Sequence, residues 1–326
     1  PVYNVKALYL GSLVAMRLSR GESCMLHTAR SALAYCLLPL LAALTSAACA
    51  AETVQLADAK PILTARLTPA DDWPQGRSIL LLHGTLSHRD TEIIESLEYL
   101  FGDAGYSTLA INLSLGSDTR EGPFDCANEH RHLESDALAE LARWLDWLEA
   151  QGAGNVTLMG HSRGANQIAR YALQSGDTRI NDLLLVAPPR WSAATARAGY
   201  RNRHGEDLDQ RIAEARKLRD AGRSEQLMPE PIGLLYCEQA RVTPASFLSY
   251  YEGDRLRDTP TLLAELSLPV LVVAGSEDTV AADLPTALAG ARDNISVVEI
   301  DGADHFFRDL YADELVDAAL DFLESH

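Results

Sequence analysis

Short apolar runs alternate with longer amphipathic stretches along most of this chain. Ser78–Leu82 is the first such run and ends in His83-Gly84. Tyr106–Leu113, Asn155–Met159, Asp182–Ala187, Val270–Ala274 and Ile295–Ile300 repeat it. Between them, Leu133–Ala150 sets Leu138, Leu141, Trp144, Leu145 and Leu148 at helical spacing. Asn166–Gln174 also reads as helix, and Asp313–Glu324 closes the chain as an amphipathic one. Strands that are apolar throughout belong to a sheet buried on both faces, with helices packed above and below it. The pattern therefore predicts an α/β fold with a doubly wound, mostly parallel sheet. Thr53–Leu67 adds one or two antiparallel strands at an edge.

The rhythm breaks between Arg190 and about Leu266. This stretch is rich in Arg, Glu and Ala, with helical patterning over Leu208–Leu218. It is too long for a loop inside a compact domain. It predicts a mostly helical insertion, residues 190–266, over the top of a core formed by 51–189 and 267–326. The alternative is a single crossover helix with long surface loops.

The first 50 residues follow a different logic. Arg30 precedes an apolar run from Ala32 to Leu44, and Ala48-Cys49-Ala50 follows. A basic flank, a short hydrophobic segment and a small-x-small site describe a secretory signal peptide, with Met25 as its start and an upstream extension before it. The run falls short of the roughly 20 residues that span a bilayer, which argues against a retained membrane anchor. A lipoprotein signal at Cys49 is the second alternative; Ser46 stands where such signals carry leucine. The expected location is periplasmic or secreted.

Composition narrows the partners. The formal charge is −18, and beyond residue 50 there are 24 basic against 45 acidic residues. Such a surface repels nucleic acid, anionic lipid and polyanionic substrates. Lysine is confined to Lys6, Lys60 and Lys217. Beyond residue 50 only Cys126 and Cys237 remain. In an oxidising compartment they can pair, or they can stay as two buried thiols. His130 and His132 lie close to Cys126 in a C-x3-H-x-H arrangement. No fourth ligand accompanies them, so no metal site is expected.

Gly160-His161-Ser162-Arg163-Gly164 lies between a strand and a helix, the context in which G-x-S-x-G holds a nucleophile. A turn that tight admits only glycine at its flanks. It raises the hydroxyl above the sheet, and the helix N-terminus aims N–H groups at developing negative charge. Serine needs a base, and the base needs an orienting acid. His305 follows the Ile295–Ile300 run and can reach back to Ser162. Glu277, Asp278 and Asp283 follow the Val270–Ala274 run and compete for the acid role. A tetrahedral oxyanion needs two donors. The backbone N–H groups of Arg163 and Thr85 are the candidates, with Leu86 in reserve. His83 ends its strand, His161 packs beneath the loop, and His88, His204 and His326 read as surface residues.

These pieces together resemble the α/β-hydrolase superfamily: His83-Gly84, Gly160-His161-Ser162-Arg163-Gly164, Gly275-Ser276-Glu277-Asp278 and Gly302-Ala303-Asp304-His305. The resemblance spans about residues 75–325 and implies the α/β-hydrolase fold. Its G-x-x-D loop favours Asp278 as the acid, and the order Ser162, Asp278, His305 is the one this fold uses. Residues 190–266 look like the cap that many members insert. Ser114-Leu115-Gly116-Ser117-Asp118 lacks the acidic, glycine-rich turn of many relatives, and the oxyanion loop lacks a glycine run.

The resemblance implies a serine hydrolase that cleaves carboxylic esters through an acyl-enzyme, without cofactor or metal. Its substrate would be a small-molecule or lipid-like ester. A prolyl-type peptidase, a lipase or a thioesterase could use the same triad, and a non-catalytic binding protein could use the same fold. Trp191, Tyr200, Phe247, Tyr250 and Tyr251 either line a substrate pocket or form the core of the insertion.

Overall fold

The apolar runs are strands of one sheet. A computed structural model describes residues 51–326 with the exception of Asn155. The signal-like stretch, the alternatives at Cys49 and everything before them lie outside the described residues. The strands are β1 (Glu52–Leu56), β2 (Leu63–Thr68), β3 (Ser78–Leu82), β4 (Ser107–Asn112), β5 (Glu129–His130), β6 (Val156–His161), β7 (Ile180–Val186), β8 (Ile232–Leu234), β9 (Cys237–Val242), β10 (Val270–Gly275) and β11 (Ile295–Ile300). The helices are α1 (Glu92–Asp103), α2 (Glu134–Gln151), α3 (Arg163–Ser175), α4 (Ala193–His204), α5 (Leu208–Asp220), α6 (Pro244–Tyr251), α7 (Thr259–Leu263), α8 (Leu284–Ala287) and α9 (Leu310–Glu324).

Eight strands form one sheet in the order β1-β2-β4-β3-β6-β7-β10-β11. β1–β2 and β2–β4 pair antiparallel, as predicted for the N-terminal edge, and the other pairs run parallel. Side-chain alternation explains why the strands are apolar on both sides. In β3, Leu80 and Leu82 join the core beneath α2 and α3, where Trp144, Leu141 and Ile168 pack. Ile79 and Leu81 join the opposite core with Ile93, Leu97 and Phe101 of α1 and Leu315 and Phe322 of α9. Each such side chain contributes about 2 kcal/mol by leaving water. α1 is an addition to the expected elements.

Between β7 and β10 the chain leaves the sheet for α4, α5, β8, β9, α6 and α7. The insertion is therefore less purely helical than its composition predicts. β8 and β9 pair antiparallel, and β5, from the chain before α2, adds to β9 in parallel. In β9, Cys237, Ala240 and Val242 are buried; β8, from the same insertion, covers one edge of the strand, and the backbone groups of the other edge still need a partner. β5 meets that need. Cys126 and Cys237 are bonded across the same seam, with their Cα atoms 5.5 Å apart. Among the described residues no helix is long and apolar enough to cross a membrane.

Four imidazoles are built into this frame. His83 Nδ1 donates to the Gly84 carbonyl at 2.8 Å, leaving Nε2 to accept from Leu113 N at 3.2 Å and Arg120 Nη2 at 3.0 Å. Burial and Arg120 push its pKa well below the usual histidine range. His130 Nδ1 meets Ser246 Oγ at 2.8 Å, and His132 Nδ1 meets Tyr250 Oη at 2.8 Å. Burial, with His132 adding to it, lowers His130 to about 3. His161 Nε2 donates to the His305 carbonyl at 2.8 Å. Burial, with His305 adding to it, lowers His161 to about 4.

Two outcomes follow. The Cys126–Cys237 bridge spans 111 residues of chain. Replacing both cysteines with alanine should cost about 2–5 kcal/mol of unfolding free energy in urea titrations, with no further loss on adding reductant. Below about pH 6.5 an unfolded chain protonates His83, His130 and His161 while the folded chain does not. Stability should be full above about pH 7 and fall toward pH 4 by up to about 1.4 kcal/mol per pH unit for each of them. His130→Gln should flatten that slope in urea titrations run across this range.

Candidate active site

Ser162, Asp278, His305 and Thr85 stand on the segments that follow strands of the main sheet. Ser162 follows β6, Asp278 follows β10, His305 follows β11, and Thr85 follows β3. Ser162 has φ 54° and ψ −123°, a conformation L residues rarely adopt. Its N–H is held by the Val186 carbonyl at 2.8 Å, and its carbonyl accepts from Ala165 N at 3.0 Å. The reason for the flanking glycines is steric. A Cβ on Gly160 would stand 2.6 Å from Ala165 N, and one on Gly164 would stand 2.4 Å from the His83 carbonyl oxygen. The turn therefore packs backbone against backbone on both sides.

The three residues meet in line. His305 Nε2 lies 3.0 Å from Ser162 Oγ, and His305 Nδ1 lies 2.7 Å from Asp278 Oδ2. Asp278 Oδ1 accepts from Val280 N at 2.7 Å and Ala281 N at 2.9 Å. Burial pushes the Asp278 carboxyl up, but the His305 hydrogen bond and these N–H groups outweigh it and hold it below the usual aspartate range. The rivals Glu277 and Asp283 are exposed. Of the three carboxylates, Asp278 is the one that meets His305.

Thr85 and Arg163 also converge. Arg163 Nε donates to Thr85 Oγ1 at 3.1 Å, and its Nη1 pairs with Glu134 at the start of α2. Burial opposes the charge on Arg163, but Glu134 outweighs it and raises the pKa. The Arg163 ring-facing side lies 5.5 Å from the Tyr250 centroid. Among the described residues, neither the Thr85 nor the Arg163 backbone N–H donates to a protein acceptor. Leu86, the reserve candidate, is buried with φ 53°.

A cavity of about 320 Å³ opens on Ser162 and His305, walled by Thr85, Ile93, Tyr236 and Phe306. A second, of about 270 Å³, lies on the other side of Arg163 beneath the insertion. Of the five aromatic residues singled out in the sequence, Trp191, Tyr200, Tyr250 and Tyr251 line this second cavity, whereas Phe247 is fully buried core. Sequence reasoning passes over Tyr236, Phe306 and Ile93 as walls, and over the way His83 and His161 tie loops to one another. Only the His83-Gly84 pair and the histidine within G-x-S-x-G could have signalled the last two.

His130 and His132 are engaged by Ser246 and Tyr250, and Cys126 is bonded to Cys237. The surface assignments need correction. His88 and His204 are half-buried, the first because Asp90 N donates to its Nδ1, the second because it packs 4.6 Å from the Tyr200 ring; His326 is exposed.

The sequence profile of a group described as the alpha/beta hydrolase family matches residues 79–318. Among solved structures, Est1E from Butyrivibrio proteoclasticus with ferulic acid bound superimposes with a TM-score of 0.59 at 17% identity, over 81% of this chain and 96% of that one. The alpha/beta hydrolase GrgF from a Penicillium species gives 0.60 at 16% identity, over 85% and 99%. An esterase from Pyrococcus furiosus gives 0.53 at 17% identity, over 85% and 91%. At these identities the structures speak for the fold alone. The profile covers most of the chain, including every loop that carries Ser162, Asp278 and His305: this chain belongs to the alpha/beta hydrolase family.

Proposed function

We propose that the chain hydrolyses carboxylic esters through an acyl-enzyme on Ser162. The observation that carries this reading is the line from Asp278 through His305 to Ser162, at 2.7 and 3.0 Å. Both contacts lie within the range over which protons pass between positioned groups. His305 takes the proton from Ser162 Oγ as the oxygen attacks the ester carbonyl. Asp278 stays ionised, holds the imidazole and stabilises its charged form. The N–H groups of Thr85 and Arg163 receive the oxyanion, an interaction worth about 3 kcal/mol per donor. The tetrahedral intermediate collapses as His305 protonates the departing alcohol. Water then enters, gives its proton to His305 and attacks the acyl carbonyl, and Ser162 regains its proton as the acid leaves.

The insertion, residues 190–266, serves in this proposal as a cap that shapes the acyl and alcohol pockets. Tyr236, which walls the Ser162 cavity, comes from it. Export to a periplasmic or extracellular setting is part of the same proposal. The Cys126–Cys237 bond supports it, because such bonds persist in oxidising compartments.

The test is turnover of p-nitrophenyl esters of increasing acyl length by residues 51–326, beside Ser162→Ala and Asp278→Asn. Short-chain turnover is expected. Ser162→Ala should abolish it together with fluorophosphonate labelling, and Asp278→Asn should lower kcat by about 10⁴-fold. A long-chain preference would move the assignment to a lipase, and cleavage of aminoacyl anilides alone to a peptidase. Folded protein that neither turns over substrate nor takes the label would make this a binding module.

A further inference from the structure

The second cavity has an electrostatic character opposite to that of the chain. The protein carries a formal charge of −18. Yet Arg163, Arg190, Arg203 and Arg257 line this cavity, with Glu134 as the one acidic lining residue. Arg190 is engaged by Asp258 at 3.2 Å. Arg163 and Arg257 both depend on Glu134: Arg163 pairs with it directly, and Arg257 Nη1 lies 3.7 Å from the same oxygen. One carboxylate thus faces two guanidinium groups. Arg257 donates from Nη1 and Nη2 to the carbonyls of Tyr250 and Ser249, but its side chain is only 10% exposed and among the described residues its Nε has no hydrogen-bond partner. Arg203, exposed at the rim, has no ion-pair partner among the described residues and stacks 5.0 Å from the Tyr236 ring centroid. Taking an uncompensated charge out of water is costly. With Arg190 paired to Asp258, the other three arginines share one lining carboxylate, Glu134, and the cavity carries net positive charge.

The cavity also adjoins the Ser162 cavity at two places. Arg163, in its wall, bonds to Thr85 in the wall of the other at 3.1 Å, and Arg203, in its wall, stacks on Tyr236 in the wall of the other. Trp191, Tyr200, Tyr250 and Tyr251 supply flat aromatic surface between the arginines. Guanidinium groups recognise carboxylates by charge-assisted hydrogen bonds, and aromatic walls accept an apolar or aromatic body.

We propose that the cavity walled by Arg163, Arg203 and Arg257 binds a carboxylate of the substrate, so that the preferred esters carry one negative charge beside an apolar or aromatic group. This rests on the ester hydrolysis proposed above. A single carboxylate is compatible with an acidic surface that excludes polyanions, because fields at the exposed surface are screened within about 10 Å whereas contacts inside a cavity are not.

Two measurements test it. The first reads the cavity without turnover: calorimetric binding of phenylacetate and of neutral phenylacetamide to the Ser162→Ala protein. Phenylacetate should bind at least about 10-fold more tightly, and Arg257→Met and Arg203→Met should each weaken it by about 10-fold. Arg203 is exposed, so its variant keeps the test readable if Arg257→Met fails to fold. The second compares kcat/KM for 4-nitrophenyl hemiglutarate and its neutral counterpart, 4-nitrophenyl valerate. The charged ester should be favoured about 10-fold, and Arg203→Met should erase the preference. Equal binding of the two phenyl compounds, indifference to both arginine variants, or a preference for the valerate overturns the carboxylate site. If the valerate is cleaved in that case, the esterase reading stands without it. If neither ester is cleaved but phenylacetate binds through the arginines, the site stands and the esterase reading falls.

Discussion

At Ser162 the chain passes from strand to helix within one residue, in a backbone conformation of φ 54° and ψ −123°. That conformation is strained for any L residue and costs on the order of 1–3 kcal/mol. It persists because the surroundings leave no alternative. The Val186 carbonyl holds the Ser162 N–H, and Gly160 and Gly164 let the turn press directly on neighbouring backbone. The consequences run outward from there. The hydroxyl projects above the sheet, the start of α3 faces the same space, and the loops after β3, β10 and β11 have a fixed point to converge on. A hydrophobic core with a continuous parallel sheet is what makes that point rigid.

The histidines divide by environment. His305 sits between a carboxylate and a hydroxyl, where gaining a proton is useful. His83, His130 and His161 are buried and kept uncharged, His83 with the help of the neighbouring Arg120 cation. The first and last of these act as braces. His83 secures Gly84, just before Thr85, and His161 secures the backbone of His305 itself. His161 thus ties the turn of Ser162 to the loop of His305, and His83 ties the loop of Thr85 to Leu113 and Arg120, through imidazoles that burial keeps uncharged.

The insertion is where charge and shape are set. The chain as a whole is acidic, which governs its long-range field and its partners. A cavity is governed by the few groups that line it. Arginines brought from α3, α4 and the two ends of the insertion line one cavity, although nothing in their sequence spacing places them together. Local and global electrostatics differ here in sign.

Strong local patterns are legible in this sequence. Runs such as Ser78–Leu82 and Val270–Ala274 coincide with strands because a strand buried on both faces is apolar at nearly every position. The turn around Ser162 is legible because only glycine tolerates its close contacts. α1 also carries readable spacing, at Ile93, Ile94, Leu97 and Phe101, which a strand-centred reading passes over. β5, β8 and β9 are less so: they are short, and two residues of β5 become a strand only because β9 arrives beside them. The same holds for the choice of Asp278 over Glu277 and Asp283, for the bonding of Cys126 to Cys237, and for the meeting of Arg163 with Thr85, Glu134 and Tyr250. The sequence by itself determined the periodicities, the turn chemistry and the order of the reactive residues, because these depend on neighbours along the chain. Only the tertiary structure decided which distant groups touch, because hydrogen bonds, ion pairs and cavity walls form between side chains whose separation in sequence carries no information about their separation in space.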